Sequence, residues 1–270
     1  MYESALLGHD LAFGVRLIAG VDEVGRACLA GPIMAAGVLF DLERPIIGAR
    51  KDLLEELDDS KQLSHADRER LARGVLLHAD AVSLVSVPAS QIDRIGINPA
   101  NIFCLERALQ AVGERAQRRL VDGKLALGPG ALAHELIVRG DGTSATVAAA
   151  SIVAKVARDR LMARIGERYP GYGFERHAGY GTPEHMGAIA RLGPTGAHRL
   201  SFDARRSAVF DGAAPARPRT PRRARWRDLA GPELAAHLLA TPTLSDRLWT
   251  AEPRLAGETR AAFIRRILVR

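Results

Sequence analysis

Asp22 and Glu23 are adjacent acids that close the short apolar run LIAGV and lead directly into the turn-forming segment GRACLAGP. Carboxylates at a strand end collect hard divalent cations, and a glycine-bearing turn beside them brings backbone amides close to a substrate. Two further apolar runs end in acids: RLVD at 119–122 delivers Asp122, and ELIVR at 135–139 delivers Asp141 across Gly140. Two divalent cations about 3.5–4 Å apart clamp the attacking water and the leaving oxygen of a phosphodiester, and three or four carboxylates must hold them. Asp22, Glu23, Asp122 and Asp141 supply that number. The pattern therefore points to metal-assisted phosphate chemistry. Mg2+ keeps part of its water shell and binds few protein carboxylates, so such a site stays weak until substrate phosphate completes it. A lone Asp at a strand end is usually a cap or turn residue; four acids so placed, two of them adjacent, weigh against that reading.

The elements that must position these acids are legible from periodicity. Residues 17–22 and 33–40 read as two strands joined by the glycine-bearing turn, and 81–87 as a third, which makes an antiparallel opening meander. LDDSKQLS at 57–64 is a loop, and Ser64 caps a helix that runs to about His78 with Asp67 in its first turn. At 98–116, Asn98 as cap, Pro99 at the first position, and Ile102, Leu105, Leu109 and Val112 at helical spacing predict another helix. Strands at 119–122 and 135–139 follow, separated by a Gly/Pro/Ala-rich connection at 124–134. Residues 143–168 form a long helix whose first half is nearly all small side chains, a composition that permits close approach to a sheet. The last core helix is 183–192, with Thr182 as cap, Pro183 at its first position and Gly193 past its end.

With 270 residues, the chain can bury one substantial core plus an appendage. No apolar run approaches the roughly 18–20 residues of a membrane span, and MYESALLGHDLAF lacks the layout of a secretion signal. The expectation is a cytoplasmic protein with no membrane association. Cys28 and Cys104 have neither the number nor the spacing of a zinc site or a disulfide framework. Cys104 reads as a buried small hydrophobe, and Cys28 as a thiol within the acidic motif's turn. The net charge of +7 lies wholly in the tail: residues 201–270 carry 14 Lys and Arg against 7 Asp and Glu, whereas the first 200 residues balance. Within it, PARPRTPRRARWR at 215–227 holds six Arg and three Pro and no acid, which reads as an extended linker. Short helices are expected at 231–240 and 257–269.

Six blocks in order carry a family resemblance: DEVGRACLAGP at 22–32, DSKQLS at 59–64, LVDG at 120–123, RGDGTSATVAAASIVAKVARDRLM at 139–162, YPGYGFERHAGYGTPEH at 169–185 and GPTGAHRLSF at 193–202. Together they resemble bacterial ribonuclease HII, the type 2 ribonuclease H, over roughly residues 15–205. The resemblance implies an α/β fold, a ribonuclease H-like mixed five-stranded sheet flanked by helices, with the basic C-terminal extension added. It divides the chain into a catalytic domain at 1–205 and an Arg/Pro-rich linker with a short helical extension at 206–270. The implied activity is endonucleolytic hydrolysis of the RNA strand of RNA–DNA hybrids and incision of duplex DNA 5′ to an embedded ribonucleotide. That reaction uses two metal ions, Mg2+ or Mn2+, and leaves 3′-hydroxyl and 5′-phosphate ends. The expected catalyst is a monomer whose partners are the hybrid and the ribonucleotide-containing duplex.

By motif position, the family's catalytic, metal-holding acids fall on Asp22, Glu23, Asp122 and Asp141, the four singled out above. The family's Gly-Arg-Gly turn, which reads the ribose 2′-hydroxyl through backbone groups, falls on Gly25, Arg26 and Ala27, and its assisting tyrosine on Tyr180. Ala27 and Cys28 stand where the family usually has Gly and Pro. Were position 27 to need positive φ, alanine there would cost on the order of 1 kcal/mol and distort the turn. A 2′-hydroxyl is the group that tells RNA from DNA at one nucleotide, so amides and a phenol aimed at it make physical sense. Lys61, Asn98 and Asn101 are candidate contacts to phosphate or backbone, Asn98 doubling as a helix cap, and Lys155 is a further cation on the helix after Asp141. The sister type, ribonuclease HIII, typically lacks the arginine of the turn; Arg26 is present here.

His177, His185 and His198 are scattered along the chain, which argues against a histidine metal centre and favours loop or capping roles. A two-metal scheme needs no histidine base. The competing class is a binding module of the same fold that grips hybrids without cutting. Against it, a pure binder has little reason to hold mutually repelling carboxylates together.

Overall fold

The sheet is built around its most apolar strands. In a computed structural model of the chain, which describes residues 3–202, β1 (Leu17–Val24) lies between β2 (Ile33–Asp41) and β4 (Arg118–Asp122), with β3 (Ala81–Val87) and β5 (Glu135–Ile137) at the edges, in the order β3-β2-β1-β4-β5. The β1–β2 and β2–β3 pairs are antiparallel, as the expected meander requires, whereas β1–β4 and β4–β5 are parallel. All nine residues of β2 are buried. A strand covered on both faces reads as a continuous apolar run rather than an alternation, which is why IMAAGVLF shows no period of two.

Helices cover both faces. On one lie α1 (Ala5–Ala12), α2 (Gly48–Glu56), α3 (His65–His78) and α6 (Ala145–Arg168); α6 packs its small residues with Ile18, Val38, Phe40 and Leu120. On the other lie α4 (Ala89–Ile95) and α5 (Ile97–Gly113), where Ala100, Cys104, Ala108 and Leu109 meet Val21, Ile33, Ala35 and Val121. The run of small residues in α6 allows its backbone to touch the sheet: a Cβ at Gly20 in β1 would sit 2.6 Å from the Thr146 carbonyl carbon. A smaller third cluster gathers α7 (Phe174–His177), α8 (Pro183–Leu192) and the C-terminal half of α6 around Met162, Tyr172 and Phe174.

Several boundaries differ from the sequence expectation. Helix α5 starts at Ile97, with Gly96 at the cap in an extended, positive-φ conformation (φ 89°, ψ 161°). Asn98 is therefore inside the first turn rather than capping it. The first turn's N–H groups have no intrahelical partner, so Pro99 marks that turn without having to occupy its first position. Strand β5 stops at Ile137, two residues short, because Arg139 turns the chain in a left-handed conformation (φ 57°, ψ 45°). Helices α1, α2, α4 and α7 go beyond the sequence expectation. The first of these carried a signal: the Ser4 hydroxyl caps it, accepting from the Leu7 N–H. Ser64, Ser144 and Thr182 cap α3, α6 and α8 in the same way. The expected linker at 215–227 and the helices at 231–240 and 257–269 lie outside the described residues.

Candidate active site

Successive strand residues face opposite sides of a sheet, so Asp22 and Glu23 at the end of β1 are supported from different helices. Asp22 lies on the α6 side, where Ser151 favours its ionised form and in turn shares a 2.9 Å hydrogen bond with Ser60. Glu23 lies on the α5 side, where the Asn101 side chain favours its charge. The parallel register that pairs Val21 with Val121 puts Asp122 at the same end of β4. Carboxylate oxygens of Asp22, Glu23 and Asp122 all come within 4.8 Å of one another.

Asp141 reaches the cluster by a different route. The left-handed turn at Arg139 feeds a single 3-10 turn, Gly140–Gly142, that carries the acid. The same turn braces the neighbouring strand, because the Gly140 N–H donates to Asp122 Oδ1 at 2.6 Å. Asp141 is buried and its charge acts on both Asp22 and Asp122. Its Oδ2 accepts from Lys61 Nζ at 2.8 Å. The arrangement is thus three converging acids with a fourth beside them, tied to a lysine.

The electrostatics are those of a cluster only partly compensated by the cations and donors around it. Burial pushes the Asp22 carboxyl well above the usual carboxylate range, and the charges of Asp122 and Glu23 push it the same way. Glu23 is raised by burial and by Asp122, against the opposing pull of Arg26 and Asn101. Asp122 is raised mainly by burial, partly offset by the Gly140 amide. Hard carboxylate oxygens with unneutralised charge fit an oxygen-seeking divalent ion. Asp22, Glu23 and Asp122 are the only converging set of potential metal ligands among the described residues, and it contains neither histidine nor cysteine.

The turn after the acids stands at the rim. Gly25 has φ 88°, while Ala27 is not among the residues with positive φ, so the strain envisaged for alanine at that position does not arise. Arg26 is exposed and donates to Asn98 Oδ1 at 3.0 Å, which gives Asn98 a role in holding that side chain. Tyr180 is partly exposed, with Lys155 Nζ 5.7 Å from its ring centroid. Lys155 also pairs with Asp159 at 2.9 Å, one helical turn away. Cys28 is fully buried next to Tyr180, and burial raises its pKa, so it is a packed thiol rather than a reactive one.

The histidines expected to be scattered converge. His177 and His185 stack with ring centroids 4.5 Å apart, and His185 Nε2 lies 3.2 Å from His198 Nε2. Chain separation hid this because the loop between α7 and α8 folds back. Every ring nitrogen has a protein partner, so the cluster is structural. The Thr195 N–H donates to His198 Nδ1, which leaves His198 Nε2–H to donate to His185 and His185 Nδ1–H to donate to the Tyr180 carbonyl. Sequence reasoning also missed Ser151, and the buried Arg158 and Arg199 that hold the turn. The one available signal was a polar residue interrupting runs of small or apolar ones.

A carboxylate cluster at the carboxyl ends of β1 and β4, on a mixed sheet in this strand order, places the chain among the nucleases of ribonuclease H fold. The sequence profile of the Ribonuclease HII family matches residues 19–205, and the chain belongs to that family. It is accordingly a ribonuclease H, an endonuclease that works by hydrolysis. Ribonuclease HII of Rhodospirillum rubrum is 48% identical over 210 residues, covering 77% of this chain and 94% of that one. That of Parasynechococcus marenigrum is 46% identical, covering 69% and 82% respectively. Among solved structures, ribonuclease H2 from Pyrococcus horikoshii OT3 shares the fold with a TM-score of 0.59 at 24% identity, over 72% of this chain and 97% of that one. Ribonuclease HII of Archaeoglobus fulgidus, solved as a complex with PCNA, aligns with a TM-score of 0.56 at 27% identity, over 69% and 95%.

Proposed function

We propose that the chain cuts the RNA strand of RNA–DNA hybrids and nicks duplex DNA 5′ to an embedded ribonucleotide, leaving 3′-hydroxyl and 5′-phosphate ends. The observation that carries this reading is the convergence of Asp22, Glu23 and Asp122 beside a backbone turn at the rim. Asp22, Glu23, Asp122 and Asp141 are the residues that hold two divalent cations, Mg2+ or Mn2+. When bound, these ions supply the Lewis acidity that activates water and steadies the leaving 3′-oxygen.

The chain's own groups bind and orient the nucleic acid. The turn Gly25–Arg26–Ala27 and the Tyr180 hydroxyl select the 2′-hydroxyl, the feature absent from DNA. Lys61 and Asn98 contact phosphate, Asn98 also holding Arg26 in place. Ser151 and Asn101 keep Asp22 and Glu23 aimed from opposite faces of the sheet. Residues 1–205 form the catalytic unit, and the Arg cluster at 217–227 adds sequence-independent contact to the duplex backbone.

Incubation with a duplex that contains one ribonucleotide, with and without Mg2+ or Mn2+, tests the reading. A single metal-dependent nick 5′ to the ribonucleotide is expected. Metal-independent cutting, or cutting of an all-DNA duplex at the same rate, would refute it.

A further inference from the structure

Two fully buried arginines sit behind the turn, and neither guanidinium hydrogen-bonds to a carboxylate. Arg199 donates from Nη2 to the Gly25 carbonyl at 2.7 Å, from Nη1 to the Arg26 carbonyl at 3.1 Å and from Nε to the Gly31 carbonyl at 2.9 Å. Arg158, from α6, donates to the carbonyls of Pro32, Ala30 and Ala178 at 3.0, 3.1 and 2.8 Å. The chain carrying Arg199 is laid against the turn by its own backbone, through Arg199 N–H to the Leu29 carbonyl and Gly31 N–H to the Ala197 carbonyl, both at 2.8 Å. Burying a guanidinium against neutral carbonyls alone gives up hydration without recovering an ion pair. Two such residues under one turn therefore indicate that the turn's geometry is what they secure.

What they secure follows from the planarity of the peptide. In a trans peptide the C=O and the N–H point in opposite directions, and none of the described peptides is cis. With the carbonyls of Gly25 and Arg26 drawn inward to Arg199, the N–H groups of the same two peptides, those of Arg26 and Ala27, face outward. Both residues are exposed. Neither N–H has a protein acceptor among the described residues. Two successive outward N–H groups form a donor pair for one oxygen. A charged donor on each carbonyl also polarises its peptide and strengthens the opposite N–H. Gly25 has to be glycine for the same reason, since it has positive φ and a Cβ there would overlap the Arg158 guanidinium.

We propose that Arg199, with Arg158 as second anchor, is the positioning residue for ribonucleotide selectivity, holding the Arg26 and Ala27 amides outward to receive a sugar 2′-oxygen. Arg158 extends the same clamp to the tyrosine loop through Ala178, so the two halves of the sugar-reading surface share one support. This inference rests on the ribonucleotide reading above and adds to it the residues that make the turn rigid.

The test is a ratio of affinities, measured by fluorescence anisotropy in EDTA: Kd for an all-DNA duplex over Kd for the same duplex with one ribonucleotide. Arg199→Lys keeps the charge but cannot span three carbonyls. It is expected to lower the ratio at least fivefold while leaving the all-DNA Kd within twofold. Arg50→Lys is the matched control, because Arg50 is a buried arginine that donates to the carbonyls of Asp41 and Arg44 at the far end of β2 and just past it. Its ratio should stay at the wild-type value. A folded Arg199→Lys protein with the wild-type ratio overturns the clamp and leaves the nuclease reading standing. A wild-type ratio of one overturns the clamp together with 2′-hydroxyl selection by the turn, whereas the nuclease reading fails only on the cleavage test above. Where Arg199→Lys does not fold, the wild-type amide resonances of Arg26 and Ala27 decide: they should shift with the ribonucleotide duplex and not with the all-DNA duplex, and equal behaviour with both overturns the proposal.

Discussion

The Lys61 ammonium lies 2.8 Å from Asp141 Oδ2, bridging the DSKQLS loop to the acid that arrives last in the chain. Asp141 pulls the lysine's pKa upward, so Lys61 is charged throughout the range in which the protein operates. Its side chain is 77% exposed, so the pair contributes little to stability, about 0.2–1 kcal/mol. The contact instead keeps a cation at the edge of the acidic cluster, where the proposed function puts a substrate phosphate.

Replacing that cation separates binding from chemistry. Lys61→Met is expected to raise KM for a ribonucleotide-containing duplex about three- to tenfold through loss of one charged phosphate contact, with kcat within about twofold. Steady-state kinetics at saturating Mg2+ check this. An unchanged KM would remove Lys61 from the substrate surface.

On the proposed metal-holding role of Asp22, Asp22→Asn is expected to lower cleavage by at least about a thousandfold. The same change should stabilise the metal-free fold. A raised carboxyl pKa means the folded state holds a proton that the unfolded chain has released. Stability therefore falls as pH rises from the ordinary carboxylate range through the raised value of Asp22. Differential scanning at pH 7 in EDTA should show a higher Tm for Asp22→Asn, by about 2–4 °C for each kcal/mol relieved. A lower Tm would mean that the cluster is not strained.

Arg139 turns the chain toward Asp141 in a left-handed conformation that costs a non-glycine residue about 1–2 kcal/mol. Glycine removes that cost but frees the unfolded chain. Arg139→Gly should thus be neutral to about 1 kcal/mol stabilising in urea denaturation, with cleavage retained. A loss of 2 kcal/mol or more would show that the Arg139 side chain is itself a structural tie.

The three-histidine cluster gives the fold an acid limit. Burial lowers the pKa of His185, and that of His198 to about 4. A depressed histidine pKa contributes stability that is present above the unfolded value, about 6.5, and is lost as pH falls toward the folded value. The Tm should drop as pH is lowered from 6.5 to 4, and His198→Asn should flatten that slope while costing about 1–3 kcal/mol at pH 7. Parallel Tm–pH curves for the two proteins would exclude His198 as a source of the limit.

Much of the site could be read along the chain because each of its acids closes a local apolar run. LIAGVDE, RLVD and the segment from ELIVR to Asp141 show where three pieces of backbone end, and end position is what a carboxylate cluster at a sheet edge needs. The strands themselves were legible through Val, Ile and Leu content, α3 and α8 through cap residues whose side chains bond the backbone within three positions, and α6 through its long run of small residues. Asn98 misled for the same reason in reverse: it is a residue type that caps, but its oxygen is engaged by Arg26, 72 positions away. Helices α1, α2 and α4 carry few periodic apolar residues, so their packing against α6, α3 and α5 respectively left a weak local trace.

The order and identity of the residues by themselves determined which groups carry charge, which apolar runs lead into an acid and that the chain is of ribonuclease HII kind. Only the tertiary structure decided that Asp22 and Glu23 are braced from opposite faces, that Asp141 is held by Lys61, that His185 and His198 share a hydrogen bond with His177 stacked beside them, and that Arg158 and Arg199 stand behind the turn. The physical reason is range. Propensity, capping and patterning act over a few residues and are written locally, whereas hydrogen bonds from Arg199 to Gly25 span 174 positions and exist only once parallel pairing and helix packing have brought the two segments together.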